Sequence, residues 1–342
     1  MHELLFSHRF GFFSSILLDY TVVYPNLYGD RLRCPVCDTQ YVAASLAPNQ
    51  SMETLQSVPV VDGVELMAAS QILGEGGFSS VHQIQYEGNV CALKLLSFDK
   101  YSLQNVLSAF RREMSLNSQL LGCKFVVSTV AISFSPLAQI MEFMNLGDLT
   151  AYIKKNPPAP FRWRLKAAFD VARALSYLHS LPAPILHLDV KSPNILLHQT
   201  NAYSNITAKL ADFGLSRSLH LSLALQTAAI DNCIWTAPEV LSRQFVTLKA
   251  DVYSFGMILW ELFHWDFPFS SWKWMAKLEA AIISGERPVI SDQVTRDHPT
   301  IAQLMKECWA SIPSDRPDFA SSIISTLSSS FPTVPCSVDI PF

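Results

Sequence analysis

The sequence predicts an α+β fold built from two lobes, with strands in the first part and helices in the second. Short apolar segments separated by turn residues run from Val64 to Glu142, which is typical of a β-sheet. After a glycine turn at Gly147 the pattern becomes helical, and an almost wholly apolar helix is predicted from Asp251 to Phe263. We expect a hinge near residues 142–148, where the pattern changes.

The composition favours some classes of partner over others. The chain has 342 residues, of which 49% are hydrophobic and 16% charged, so it can bury a large core. The net charge of −4 and an isoelectric point near 6.1 provide no basic field for nucleic acid or anionic lipid. No apolar run reaches the roughly 18 to 20 residues that span a bilayer. We therefore expect a small or proteinaceous substrate.

The cysteines indicate the redox compartment. There are seven, an odd number scattered along the chain, so they do not predict a disulfide framework. They fit a reducing compartment, and we expect the protein to be cytoplasmic. Cys34 and Cys37 form a CxxC motif. It is either a plain reduced pair or one half of a zinc site, and the other two ligands are missing from the local sequence. A truncated zinc module is the third alternative.

The chain divides by pattern into three parts. Residues 1–62 carry the CxxC and a polar stretch, Ala47–Ser57, that is typical of a linker. The main domain is predicted at 63–331, with its two lobes at 63–144 and 145–331. A tail of residues 332–342 follows.

Two motifs of the first lobe suggest phosphate chemistry. Gly74–Gly77 lies between two predicted strands, where backbone amides can cover phosphates. A tight hairpin that only contains extra glycines would show the same sequence pattern. Lys94 ends the next predicted strand and needs an acidic partner if it is buried. Glu113, on a helix predicted at Leu103–Leu121, is the natural partner; the alternative is a solvated surface carboxylate.

The second lobe carries a short loop with three polar residues that chemistry can use. Between the apolar ends of Ile185–Leu197 lie Asp189, Lys191 and Asn194. A carboxylate can orient and deprotonate a hydroxyl, an ammonium can neutralise a moving phosphoryl group, and an amide can ligate Mg²⁺. Asp212 follows a short strand and supplies a second candidate Mg²⁺ ligand.

Taken in this order, the motifs of residues 65–330 resemble the signature set of the eukaryotic protein kinases. The set is completed by Ala237-Pro238-Glu239, for which Arg316 is a candidate buried partner. The resemblance implies a two-lobed kinase fold, with a five-stranded first lobe that carries one helix and a mostly helical second lobe. It also implies ATP and Mg²⁺ in the cleft, and protein substrates.

The resemblance assigns roles to individual residues. Asp189 matches the catalytic base or orienter of the substrate hydroxyl, and Lys191 matches the residue that neutralises the γ-phosphate. Lys94 matches the residue that holds the α- and β-phosphates, paired with Glu113. The implied Mg²⁺ ligands are Asn194 and Asp212. The implied nucleotide contacts are Gly74, Glu75, Gly76, Gly77, Val81, Ala92, Lys94, Met141, Glu142, Met144 and Leu196.

The resemblance also indicates a group within the kinases. Lys191–Asn194 reads Lys-Ser-Pro-Asn, which is similar to serine/threonine kinases, whereas Trp235–Glu239 and Cys308-Trp309 resemble tyrosine kinases. This mixture is typical of the tyrosine-kinase-like group, with some Mos-like features. The resemblance implies serine/threonine phosphorylation in signalling. A tyrosine or dual-specificity kinase, or a pseudokinase scaffold, is the alternative.

One departure from the pattern bears on regulation. Leu188 stands where kinases usually carry an arginine before the catalytic aspartate. That guanidinium is the main counter-charge for a phosphate on the activation segment. We therefore do not expect phosphorylation of this segment to switch the activity on. A second departure is Asp231-Asn232 in place of Gly-Thr, so the hydrogen bond that a threonine would make to Asp189 comes from the Asn232 amide or is absent.

Overall fold

The computed structural model describes the chain in segments and divides it into two units. The described residues are 31–33, 40–42, 58–61, 66, 70–75, 79–96, 110–111, 113–117, 119–120, 122–134, 136–200, 206–214, 216–218, 233–270, 272 and 275–331. The first unit comprises the residues up to Gly122 together with Ser128–Phe143. The second comprises Cys123–Val127 and the residues from Met144 onward.

The first unit is built on a β-sheet. Near its start, β1 (Arg31–Arg33) pairs antiparallel with β2 (Gln40–Val42). The strands of the main sheet are β3 (Val60–Val61), β4 (Gln71–Glu75), β5 (Ser79–Tyr86), β6 (Asn89–Leu96), β7 (Thr129–Phe134) and β8 (Leu137–Glu142). Within the described residues this sheet has six strands in the order β3-β7-β8-β6-β5-β4. It therefore has one strand more than the resemblance implies.

The extra strand is β3. It pairs parallel with β7, with Val60 opposite Ile132 and Val61 opposite Ser133. Both valines precede the boundary predicted near Asp62, so the sheet begins before that boundary.

The β5–β6 hairpin shows how local sequence sets the register. Glu87 and Gly88 connect the strands with φ of 48° and 77°, the left-handed conformation that a tight two-residue hairpin turn requires. With Tyr86 opposite Asn89, alternate residues share a face. Ile84 and Leu93 lie in one apolar cluster, so the alternation of the sequence becomes one buried face of the sheet.

A helix crosses the first unit and is called α1 here; it is described at residues 110–111, 113–117 and 119. Phe110 and Met114 are four residues apart and therefore share a helix face. Both are buried in a cluster with Val58, Ile132 and Leu137. This cluster joins α1 to the sheet.

The second unit is mostly helical, and the α+β prediction is confirmed. Its helices are α2 (Leu149–Lys155), α3 (Phe161–Ser180), α4 (Pro238–Leu241), α5 (Lys249–His264), α6 (Met275–Ile283), α7 (Asp292–Asp297), α8 (Pro299–Cys308) and α9 (Ile324–Ser329). A π-helical turn at Phe319–Ile323 precedes α9.

Helix α5 forms the centre of this unit. Every residue from Ala250 to Phe263 is buried, as expected for a helix that is apolar on all sides. A Cβ on Gly256 would lie 2.9 Å from the Cβ of Cys308. Only glycine allows α5 and α8 to approach this closely.

Small antiparallel sheets hold the polar loop of the second unit. In the first, β11 (Ile195–His198) lies between β9 (Gly147–Asp148) and β12 (Thr207–Leu210). In the second, β10 (Ile185–Leu186) pairs with β13 (Arg217–Ser218). The loop from His187 to Asn194 therefore begins and ends on strands. Among the described residues, no helix is long and apolar enough to cross a membrane.

Candidate active site

The first unit contains the predicted lysine–glutamate pair. Lys94 lies on β6, and its Nζ donates to Glu113 Oε1 on α1 at 3.0 Å. The side chains are 16% and 9% exposed. At this burial each charge needs the other, because an unpaired ion is costly to remove from water. The pair that burial arguments predict from the sequence is therefore present.

The other predicted residues of this unit lie along the sheet. Gly74 and Glu75 end β4, while Gly76 and Gly77 lie outside the described residues. Val81 on β5 is opposite Lys94 on β6. The glycine segment is thus described only at its first two residues.

Strand β8 carries two further predicted residues. Met141 is opposite Ala92, so the two lie on neighbouring strands. Glu142 is held by Ser128: its amide donates to the Ser128 carbonyl at 3.1 Å, and its Oε1 accepts from the Ser128 amide at 2.7 Å. In the second unit, Met144 is buried and Leu196 lies on β11.

The polar loop of the second unit brings three predicted residues together. The Asp189 carboxylate accepts from Lys191 Nζ at 2.8 Å through Oδ1 and from Asn194 Nδ2 at 2.8 Å through Oδ2. The same Asn194 nitrogen also donates to the Asp189 carbonyl, at 2.9 Å. The carboxylate is thus oriented on both sides while its residue remains partly exposed.

Asn194 and Asp212 are linked through the backbone. The amide of Ala211 donates to the Asn194 carbonyl at 2.9 Å, which places Asp212 one residue from this bond. Because Asn194 uses its side-chain nitrogen toward Asp189, its amide oxygen is the atom left for a cation. Asp212 is exposed, and its Oδ1 accepts from the Gly214 amide at 3.3 Å. Carboxylate and amide oxygens suit Mg²⁺.

The start of the loop is anchored on α5. The amides of His187 and Leu188 each donate to the buried Asp251 carboxylate at 2.9 Å, and His179 Nε2 lies 2.9 Å from the same group. Leu188 has a φ of 63°, a conformation that costs free energy for a residue with a Cβ. The two hydrogen bonds to Asp251 hold it in that conformation.

His187 connects the loop to the segment of Asp212. Burial lowers the pKa of His187 despite the neighbouring carboxylates of Asp251, Asp189 and Asp212. The ring is therefore neutral near pH 7. Its Nδ1 accepts from the Asp189 amide at 3.3 Å, and its Nε2 donates to the Ala211 carbonyl at 3.2 Å.

The comparisons with known proteins decide the family. A family model described as "Protein tyrosine and serine/threonine kinase" matches residues 67–327. The chain belongs to this family. The predicted kinase family and its tyrosine-kinase-like group are confirmed.

Several curated relatives of this kinase-family chain are named serine/threonine kinases. This chain is 39% identical over 231 residues to the probable serine/threonine-protein kinase roco8 of Dictyostelium discoideum, and the alignment covers 65% of this chain and 12% of that protein. It is 31% identical over 302 residues to the probable serine/threonine-protein kinase pats1 of the same organism, covering 84% and 9%. Serine/threonine-protein kinase CTR1 of Arabidopsis thaliana is 32% identical over 252 residues, covering 72% and 30%. The chain thus spans only a small part of these relatives.

A buried network connects the polar loop to the Trp235–Glu239 segment of the kinase-family chain. Glu261 on α5 is fully buried; its Oε1 accepts from Ser192 Oγ at 2.6 Å and its Oε2 from Trp235 Nε1 at 2.8 Å. Ser192 Oγ also lies 2.7 Å from Thr150 Oγ1. Burial raises the pKa of Glu261 to about 8, and the bonds from Ser192 and Trp235 oppose this only in part. The carboxyl is therefore largely protonated near pH 7.

Glu261→Gln is expected to change how stability depends on pH. Between about pH 4.5 and 8 the folded chain keeps the Glu261 proton that the unfolded chain releases, so the free energy of unfolding falls as pH rises. Glutamine imitates the protonated carboxyl and cannot ionise. Urea unfolding of both proteins should show the variant gaining stability relative to wild type from about pH 5 to 7.5. Parallel curves would contradict the raised pKa.

The segment after Asp212 is described only in part. Ser216 is fully buried, and its Oγ donates to the His187 carbonyl at 3.1 Å. Asp231 and Asn232 lie outside the described residues, so their expected contact with Asp189 stays a prediction. Cys34 and Cys37 also lie outside, and the described residues contain no cluster of His, Cys, Asp or Glu suited to a metal.

The predicted structural ion pair is confirmed. Arg316 donates from Nη1 and Nη2 to the two Glu239 oxygens at 2.7 and 2.8 Å. It also donates to the carbonyls of Ala310 and Lys249, each at 2.8 Å. With 1% of its surface exposed, Arg316 ties Glu239 of α4 to the first residue of α5 and to Ala310.

Sequence reasoning missed two residues that support the polar loop, Asp251 and Glu261. Both are carboxylates on the otherwise apolar α5. A charge on a helix that is buried on all sides must have a buried partner, and this signal was available. The sequence does not show that the partners lie in the loop, 63 to 69 residues earlier.

Proposed function

We propose that this chain is a protein kinase domain that transfers the ATP γ-phosphate to serine or threonine hydroxyls of protein substrates. The observation that carries the proposal is the Asp189 carboxylate held between Lys191 and Asn194. The names of the relatives support the same activity. The chain covers a small part of those relatives, so their names alone do not establish its substrates, which we propose to be proteins.

Asp189 is the residue that acts on the substrate hydroxyl. A carboxylate fixed on two sides can accept the hydroxyl hydrogen and direct the oxygen toward the phosphorus, which is the positioning that phosphoryl transfer requires. Lys191, already 2.8 Å from Asp189, neutralises charge on the transferred group. The buried Asp251 keeps the loop in place.

Lys94, held by Glu113, contacts the α- and β-phosphates of ATP, and Gly74–Gly77 cover them. Asn194 and Asp212 would hold Mg²⁺, and the backbone bond from the Ala211 amide to the Asn194 carbonyl supports this pairing. When bound, Mg²⁺ neutralises phosphate charge and fixes the phosphate oxygens. The hinge contacts with adenine come from Glu142 and Met144.

The proposal extends to the organisation of the chain. The kinase domain comprises 63–331, with its two lobes at 63–144 and 145–331. Residues 1–62 precede it, and the last of them, Val58–Val61, dock on the sheet of the first lobe. The cysteine pattern and the kinase chemistry support a cytoplasmic location, where ATP is abundant and thiols stay reduced.

The activity is tested by incubating the chain with labelled ATP, Mg²⁺ and a generic basic protein. We expect label on the substrate, and phosphoamino-acid analysis should find phosphoserine and phosphothreonine. Label on tyrosine would replace the hydroxyl specificity proposed here. If the chain transfers no phosphate, the proposed kinase activity is wrong, and a pseudokinase scaffold is favoured.

Alanine at Ser218, Ser222 and Thr227 together is expected to leave activity within about threefold of wild type. These three residues lie in the segment that follows Asp212. Without an arginine at position 188, a phosphate on that segment lacks its usual counter-charge. Ser216 is left intact because its buried hydroxyl supports the His187 carbonyl, and Ser216→Ala alone should lower stability by about 1 kcal/mol. The kinase assay measures the first effect and urea unfolding the second. A large loss of rate in the triple variant would show that the segment is controlled by phosphorylation.

A further inference from the structure

A short segment that precedes the family match is part of the first unit. The match begins at residue 67, whereas β3 (Val60–Val61) already pairs with β7. The Ile132 amide donates to the Pro59 carbonyl at 2.9 Å, which extends the contact toward Val58. The edge strand β3 therefore lies outside the matched range but inside the sheet of the first unit.

Val58, two residues before this strand, packs on α1. Val58 is 7% exposed and lies in the cluster with Phe110 and Met114 of α1, together with Ile132 and Leu137 of the sheet. Phe110 and Met114 flank Glu113 in sequence, three residues before and one after. The apolar contact with Val58 is therefore on the same helical turn as the carboxylate that pairs with Lys94.

The segment has a second anchor and an exposed position between the two. Val61 packs against the other apolar cluster of the sheet, which contains Ile84 and Leu93. Val60 between them is 49% exposed. The segment is therefore held at Val58 and at Val61, in two different apolar clusters, and the exposed Val60 serves as a matched control.

We propose that Val58–Val61 is a positioning segment, which docks beside β7 and holds α1 so that Glu113 reaches Lys94. The inference rests on the proposed kinase function, in which Lys94 contacts the ATP phosphates. Val58 acts through Glu113 and touches no substrate. Removing its side chain loosens the cluster under α1 and lets the helix spend more time away from Lys94.

Two measurements on Val58→Ala test the segment. Hydrogen exchange of the α1 amides should become about 10-fold faster, with exchange in α5 unchanged, because only the local opening of α1 is favoured. The KM for ATP should rise about fivefold, since Lys94 is less often in place. Val58→Ile, which keeps a large apolar side chain, should have the exchange rate and the KM for ATP of wild type. Val60→Ala should stay within about twofold of wild type in both.

A double-mutant cycle with Glu113→Ala distinguishes positioning from plain packing. If Val58 acts through Glu113, Val58→Ala should not weaken ATP binding further in the Glu113→Ala background. Equal weakening in both backgrounds, or a Val58→Ala protein that matches Val60→Ala, would overturn the proposal. If wild type binds no ATP or transfers no phosphate, the kinase proposal fails, and the exchange of α1 alone then decides whether Val58 holds the helix.

Discussion

Asp189→Asn is expected to lower kcat for phosphoryl transfer by about 10²- to 10⁴-fold, the range contributed by a positioned acid or base. The carboxylate accepts from Lys191 through one oxygen and from Asn194 through the other. An asparagine amide offers one acceptor oxygen and cannot take a proton. The substrate hydroxyl would lose its orienting group, and Lys191 would lose its partner.

The fold should survive this substitution. Asn has nearly the shape of Asp, and position 189 is partly exposed, so the midpoint of urea unfolding should stay close to that of wild type. Asp297→Asn, at an exposed carboxylate that ends α7, is the matched control and should leave kcat unchanged. Rates are measured by label transfer at saturating ATP. An Asp189→Asn protein with wild-type kcat would refute the role given to this carboxylate.

Arg316→Met is expected to destabilise the second unit by about 3 to 5 kcal/mol, the usual cost of removing one partner of a buried ion pair. The arginine donates to both oxygens of Glu239 and to two carbonyls. Methionine fills much of the volume and leaves the buried Glu239 without the two hydrogen bonds and the charge of its guanidinium partner. The loss should appear as a lower midpoint in urea unfolding.

A second variant separates the charge effect from packing. Arg316→Met combined with Glu239→Leu removes both charges and should recover part of the lost stability, because apolar replacement of a whole buried pair is often tolerated. Arg316→Lys should lie in between, since an ammonium cannot make the two-pronged contact. If the double variant is as unstable as Arg316→Met, the cost comes from the lost carbonyl bonds and packing.

Some of the candidate site could be predicted because its parts are close in sequence or explain each other. Asp189, Lys191 and Asn194 lie within six residues, and their residue types already suggested phosphoryl transfer. The Lys94–Glu113 pair followed from a simple rule, that a lysine on a buried strand needs a carboxylate. The proposed roles of these residues still await the rate measurements above.

The supports of the site could not be predicted in the same way. Asp251 and Glu261 were visible as charges in an apolar helix, but their partners in the polar loop are 63 to 69 residues away in sequence. Val58 gave no distinct signal, because the short run Val58–Val61 after the polar stretch does not show which of its valines is buried or against what. Its burial against α1 depends on where the sheet places β7.

The sequence by itself determined the α+β class, the order of strands and helices, and the polar residues available for chemistry. These follow from periodicity and residue type, which act over a few residues. Only the tertiary structure decided that Asp251 holds the loop, that Glu261 joins it to Trp235, and that Val58 lies beneath α1. These contacts arise when distant segments pack together, and local pattern carries no record of which segments meet.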